Sequence, residues 1–480
     1  MSKLKRLAGE TVLYGMGSIV PRFLNFLLVP LHTATFSPEQ YGVLSKLLAY
    51  VAALNVLFTF GMETAYFRFS TKEGADEQKV FDLAQTVIVS ISFVLAGTLF
   101  LTAGPLADVM GIPGHGDLVM WLAAIMFIDA AVAIPFARLR LQRKPVKFAI
   151  GKITNIGLLM LLNFYFLRIA YQPSMGVGYV VLANLLANSF YLIYFSKSLL
   201  SWKPRINRSI SLAMLTYGYP VMLMGLAGMT NEMFSRQTLD WWLPADFYPD
   251  QSPARALGIF SASYKLAMLM GLTVQAFRYA AEPFFFSNAV DKNSPQLFAR
   301  VNHYFIIVCC VLLLGAGINL DILKYFLGNS TYWEGLYVVP ILLLAYLFLG
   351  VYYNLTVWFK LTDRTYFGTF ITVGGAVVTI AANYLLIPIL GYLGRSLASL
   401  ICYFSMTVVC YLLGQKFYPI PYNVGKSMAY IVFTTALVYA VNYIFIENIW
   451  VATAFHGLII GIYLLGIYAL EKTAFRKPAT

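Results

Sequence analysis

Residues 118–137 read LVMWLAAIMFIDAAVAIPFA, twenty residues with a single charge, Asp129, at their centre. Directly after them come Arg138, Arg140, Arg143, Lys144 and Lys147. Twenty residues of helix span about 30 Å, the thickness of the hydrocarbon core of a bilayer. The stretch therefore predicts a membrane-spanning helix closed on one side by a basic loop. The rest of the chain repeats the pattern. Of its 480 residues 60% are apolar and 11% charged, and the mean hydropathy is +0.72. A soluble domain carries about 25% charged residues. No soluble core could use so much continuous apolar surface, so the bilayer is the solvent.

Apolar runs between charged breaks give fourteen spans, near 11–36, 41–66, 80–103, 118–137, 148–167, 176–196, 210–233, 256–286, 301–320, 335–359, 365–389, 394–414, 424–446 and 450–470. The fold class expected is an all-α polytopic membrane protein. Connections are short except for 234–255, which leaves no room for a soluble domain. The first run is too long for the apolar region of a signal peptide and lacks a small-residue cleavage site, so it reads as a retained helix. Cys309, Cys310, Cys402 and Cys410 all lie inside apolar runs without metal-ligand spacing, and read as small buried hydrophobes.

Lys and Arg set the orientation. One side of the predicted bundle holds the N-terminal Lys3, Lys5 and Arg6, the loop at Arg138–Lys147, and further groups at Arg68–Lys79, Lys197–Arg208, Lys292–Arg300, Lys360–Arg364, Lys416–Lys426 and the tail, 24 basic residues in all. The other side has five: Arg168, Arg236, Arg255, Lys324 and Arg395. Both termini are therefore expected in the cytoplasm and 234–255 in the periplasm. Basic cytoplasmic loops beside an anionic leaflet also account for the net charge of +13 without invoking nucleic acid.

The sequence resembles itself at one offset. Tyr41-Gly42-Val43-Leu44-Ser45 matches Leu257-Gly258-Ile259-Phe260-Ser261, 216 residues on. Phe67-Arg68-Phe69-Ser70 matches Phe284–Ser287, and Asn163–Leu167 matches Asn383–Ile387, at offsets of 217 and 220. Three ordered matches imply a duplicated six-helix unit. The even helix number relates the copies by an axis along the membrane normal. The expected organisation is a lobe at 1–202, a second at 203–420 and two additional helices at 421–480. Pro21 and Pro30 in the first span, and Pro220 in its repeat counterpart, remove backbone hydrogen bonds and predict bent lead helices suited to gating.

Five basic residues fall inside spans: Arg22, Lys46, Lys152, Lys265 and Arg278. A cation at mid-membrane costs at least ~2.5–3.5 kcal/mol unless it meets a partner or a wet cavity, so each is a candidate site residue. Each also has a plainer reading. Lys46 sits near an outer helix end and can snorkel, Lys152 near an inner one. Arg278 and Glu282, four apart, can pair locally. Arg22 and Lys265 lie deepest. Among the acids Glu63, Asp129, Glu232 and Glu282, only Asp129 is central; it reads equally as an ion-coupling carboxylate or as a structural partner for a cation. The sum is a cationic or mixed cavity suited to an anionic substrate. No nucleotide-binding, catalytic or metal motif appears, since Gly425-Lys426-Ser427 lacks the upstream glycine of a phosphate-binding loop. No cofactor is expected, and transport must draw on ion gradients, membrane potential or substrate concentration.

Gly17-Ser18-Ile19-Val20-Pro21-Arg22-Phe23-Leu24-Asn25-Phe26 and Phe36-Ser37-Pro38-Glu39-Gln40-Tyr41-Gly42 resemble the opening of the polysaccharide-transporter branch of the MOP (MATE-like) flippase superfamily. The resemblance in pattern runs through the whole chain, as twelve duplicated helices plus two. It implies two six-helix lobes and alternating access. The implied cargo is an undecaprenyl-pyrophosphate-linked oligosaccharide, as in O-antigen lipopolysaccharide assembly, moved across a bacterial inner membrane, with glycan polymerase and glycosyltransferases as partners. Related lipid II flippases hold the pyrophosphate with basic residues on helices 1, 2 and 8. Carried over by helix, the substrate-binding set is Arg22, Lys46, Lys265 and Arg278. Two other classes are weighed. An ion-coupled multidrug exporter of the same fold would rest on Asp129, and a membrane glycosyltransferase on Asp240, Asp246 and Asp250, which read instead as a solvated surface.

Overall fold

The structure, a computed structural model, describes residue 17 and residues 19–72, 74–232, 238–249, 251–288, 293–362, 364–444 and 446–475. Lys3, Lys5, Arg6, Arg236, Asp250, Lys292, Arg476 and Lys477 lie outside them, as do the side chains of Glu232 and Glu282.

In chain order the helices are α1 (residues 19–26), α2 (Val29–Thr35), α3 (Pro38–Thr59), α4 (Met62–Ser70), α5 (Glu77–Leu101), α6 (Ala103–Val109), α7 (Gly116–Leu141), α8 (Pro145–Phe164), α9 (Gly178–Tyr194) and α10 (Ser196–Leu200). They continue as α11 (Arg208–Glu232), α12 (Thr238–Trp242), α13 (Pro253–Asn288), α14 (Ser294–Ile318), α15 (Leu320–Leu323), α16 (Val339–Leu355), α17 (Val357–Leu361), α18 (Tyr366–Phe417), α19 (Val424–Asn442) and α20 (Ile449–Phe475). Among the described residues eleven helices are long and apolar enough to cross a membrane. The chain is a multi-pass membrane protein. One of the eleven, α18, breaks at Gly391 and supplies two crossings. With the shorter apolar α9 and the first span, the architecture is the fourteen-helix one expected.

Two helix starts are fixed by side chains that satisfy backbone groups otherwise left unpaired. Ser37 and Gln40 form a reciprocal capping box at α3, with Pro38 in the first turn. Asp76 caps α5 by accepting from the backbone N–H groups of Gln78 and Lys79. The Lys79 N–H also holds the Asp76 carboxyl below its usual range.

The second and seventh spans differ from the sequence reading, while the first breaks beside Pro30 as expected. The second is interrupted at Phe60 and Gly61, both at positive φ, where a Cβ on Gly61 would lie 2.6 Å from the Gly218 carbonyl of α11. The first breaks at Leu27–Leu28, and α2 restarts with Pro30 in its first turn. Pro220, expected to bend the seventh, sits inside an unbroken α11. One missing hydrogen bond is tolerated in a membrane helix when neighbouring groups pack around it.

By contact the chain forms two compact units, Met1–Ser261 with Thr369–Arg395, and Ala262–Gly368 with Ser396–Thr480. In the first, α7 is the central helix. Its Phe136 meets Phe148, Tyr191 and Phe195 edge-on, with centroids 5.5, 5.1 and 4.7 Å away. In the second, fully buried Trp358 stacks on Phe417 and donates to the Cys410 carbonyl at 3.2 Å. There α20 is tied in by buried Glu471, which meets Lys426 at 2.7 Å, Tyr430 at 2.8 Å and His303 at 3.2 Å. All four cysteines are buried and free.

The break in α18 is also a docking point. Gly391 has φ 53 and ψ −124, and a Cβ there would fall 2.3 Å from the Tyr248 hydroxyl. The Tyr392 N–H donates to that hydroxyl at 3.0 Å, and the two tyrosine rings stack at 4.4 Å. Gly391→Ala is expected to destabilise the protein by about 1–3 kcal/mol, seen as a lowered Tm in detergent. An unchanged Tm would show that the break tolerates a side chain.

Candidate functional site

The membrane-embedded polar residues gather in two places. In the first unit, α3, α7, α8 and α9 enclose a cavity of about 430 Å³ containing Asp129 and Lys152. Helical spacing builds it. Lys152 and Asn155 are three apart on α8, and Asn188 and Tyr191 three apart on α9, so each helix turns one polar stripe inward. Asn155 donates to Asn188 at 2.9 Å, and Asn188 donates in turn to Asp129 Oδ1 at 2.9 Å. The Lys152 ammonium lies 4.1 Å from the Phe136 ring centroid and 5.1 Å from that of Tyr191. Lys152 was expected to snorkel toward the membrane surface. It faces the bundle interior instead, because the aromatic rings and the carboxylate stabilise the charge there. At one edge Glu63 pairs with Arg140.

Asp129 and Lys152 share the cavity without a direct ion pair. One amide donor leaves most of the acceptor capacity of a carboxylate unfilled. The open side of Asp129 can therefore take water, a proton or a small cation. Asn55, Asn155 and Asn188, which complete the wall, were missed by the sequence reading; an uncharged amide inside an apolar run leaves no mark on hydropathy.

The second place lies in the other unit. The Arg278 guanidinium of α13 stacks 4.7 Å from the ring centroid of Tyr353 and shares a groove with Lys360, Asn354 and Thr356. The sequence placed Lys360 in a basic loop; the structure places it on α17, lining this groove. The Asn354 NH2 group donates to Asn302 at 3.3 Å, so the two cations are what the groove offers an anion.

The remaining predicted site residues are spread out. Arg22 on α1 is exposed and makes no hydrogen bond or ion pair with a described residue. Lys265 on α13 is half-buried and precedes Arg278 by thirteen residues, about 20 Å along a helix. One diphosphate cannot span that distance. Lys46 is buried, and its ammonium lies 2.5 Å from Asp240 Oδ2. Asp240 was expected in a solvated acidic surface, yet it sits on α12 with 14% of its side chain exposed. Arg395, expected at the exposed start of the twelfth span, is 1% exposed, because α18 breaks at Gly391 without a loop and Arg395 lies within its second half.

Residues 35–299 match the model of a family described as polysaccharide biosynthesis proteins. The chain belongs to this family. The match covers more than half of the sequence and agrees with the resemblance carried by its opening residues. No curated protein matches the sequence significantly. Among solved structures, the lipid II flippase MurJ in an inward closed conformation aligns with 97% of this chain and 100% of its own, at 12% identity and a TM-score of 0.77. An inward-facing multidrug resistance MATE transporter of the MOP superfamily covers 88% and 98%, at 14% identity and a TM-score of 0.63. An outward-facing multidrug resistance MATE transporter of the same superfamily gives 88% and 96%, 15% identity and a TM-score of 0.57. At such identities the likeness is one of fold. That fold is the one shared by MOP-superfamily flippases and exporters.

Proposed function

We propose that the chain flips a lipid-linked oligosaccharide, its glycan joined to a polyprenyl carrier through a diphosphate, across a bacterial inner membrane by alternating access. The groove of Arg278 and Lys360, in a member of the polysaccharide biosynthesis family, carries this proposal. It offers two cations to an anion, one of them backed by the Tyr353 ring. Arg22, exposed and unpaired among described residues, is a further cation for the same cargo, and Lys265 another. The duplicated halves 1–202 and 203–420 are the moving parts, with 421–480 appended, and both termini are cytoplasmic. The protein acts as a transporter, not an enzyme, and takes its cargo from glycosyltransferases and hands it to a polymerase. Asp129 is the coupling carboxylate: its open side can exchange a proton or small cation with the cavity.

Expression in a flippase-deficient strain, scored by surface glycan, tests the function; no restoration at normal membrane level refutes it. In the same strain Ser252→Cys, exposed near the start of α13, is expected to react with an impermeant thiol reagent in intact cells. Labelling only after lysis would reverse the orientation. The Asp129 cavity also favours a second reading, a multidrug exporter of the same fold. There Asp129 would be essential and the groove cations dispensable.

A further inference from the structure

The two segments that reveal the internal repeat touch each other. A Cβ added to Gly42 on α3 would lie 2.0 Å from the Ala254 carbonyl, and one on Gly258 of α13 would lie 1.8 Å from the Pro38 carbonyl. Gly42 and Gly258 are 216 residues apart, as are Pro38 and Ala254, and this is the offset of the sequence match. Each helix therefore presents the same patch to its own repeat image, the reciprocal contact of a two-fold interface. Only glycine lets two backbones approach so closely. Glu39 and Arg255, again 216 apart, pair across this crossing at 3.2 Å. Nearly two turns deeper on α3, Lys46 pairs with Asp240 at 2.5 Å, both side chains largely buried.

We infer that this crossing is a reversible latch that closes the outer end of α3 against α13, and that Lys46 and Asp240 are its bolt, not part of the substrate site. The seam can close only while both glycines lack a side chain. A charge buried with its partner is unstable alone, so Lys46 and Asp240 favour the closed seam only as a pair. When the seam parts, water hydrates both ions and offsets the lost attraction, so the latch can open in every cycle. Glu39 and Arg255 are more exposed, and they fix register more than strength. The inference uses the transport reading for its sense of outer and for its functional readout.

The test uses a chain whose Cys309, Cys310, Cys402 and Cys410 are replaced by alanine and which carries Glu39→Cys and Arg255→Cys. A short bifunctional methanethiosulfonate is expected to join the pair, to reduce glycan export more than about tenfold, and to be reversed by a reductant. Failure to cross-link, or full export by the cross-linked protein, overturns the latch. Lys46→Asp and Asp240→Lys are each expected to impair export, and the double exchange to restore most of it; an inactive double exchange returns Lys46 to the substrate. If the cargo is not a lipid-linked glycan, the uncross-linked chain will not restore export at all, and a second measurement still reads the seam. Ser261→Cys, fully buried one turn below Gly258, should react severalfold faster with an impermeant maleimide when Gly258→Ala is also present. An unchanged rate means that the seam does not gate access.

Discussion

In the double variant Arg278→Gln/Lys360→Gln, glycan export is expected to fall more than about 100-fold at an unchanged level of protein in the membrane. A hydrogen bond to a charged group contributes about 1.5–3 kcal/mol, so losing two from one anion costs about 3–6 kcal/mol. A factor of ten corresponds to 1.4 kcal/mol, which sets the bound. Glutamine is less costly to hold in a membrane than a cation, and the membrane level of the protein checks folding separately. Arg278→Lys should keep part of the activity, since the charge stays while the planar fork over Tyr353 is lost. Surface glycan per transporter measures all three variants. Normal export by the double variant would remove the groove from the substrate path.

Asp129→Asn is the second large effect. The substitution keeps the shape and the oxygen that accepts from Asn188, and removes only the charge. Flipping driven by an imposed proton or sodium gradient should fall at least about tenfold, while equilibrium binding of the glycolipid stays within about twofold. Transport into vesicles with and without the gradient separates the two quantities. A gradient response that survives the substitution would make Asp129 a structural neighbour of Lys152. In an assay of drug efflux, loss in this variant together with dispensable groove cations would be the pattern of a drug exporter.

The fourteen crossings were legible because the length of an apolar run and the bilayer thickness are the same physical quantity. The match around Gly42 and Gly258 was visible in the sequence because neither glycine can be replaced without a clash. The direction in which an intramembrane charge faces was not. Lys152 lies near a helix end, and distance from the end says how far an ammonium must reach, not which neighbour attracts it. Lys46 and Asp240 are far apart in sequence, so no local pattern couples them, and a lone aspartate in a hydrophilic segment looks solvated. Arg395 misled for the opposite reason: a helix can reverse its course at one glycine of positive φ, and what reads as an exposed helix-end charge is then enclosed.

Glu39 and Arg255 occupy equivalent positions in the internal sequence match and meet each other, as a residue on a two-fold axis meets its own image. In a dimer of identical chains a residue on such an axis faces itself, and any charge there is repelled by its own image. Opposite signs at that point require two copies that mutate independently. Fusion of the copies into one chain therefore allowed attraction where symmetry permits only neutrality or repulsion. The Asp129 cavity lies in one unit and the Arg278 groove in the other. A single half paired with itself could not reproduce the latch.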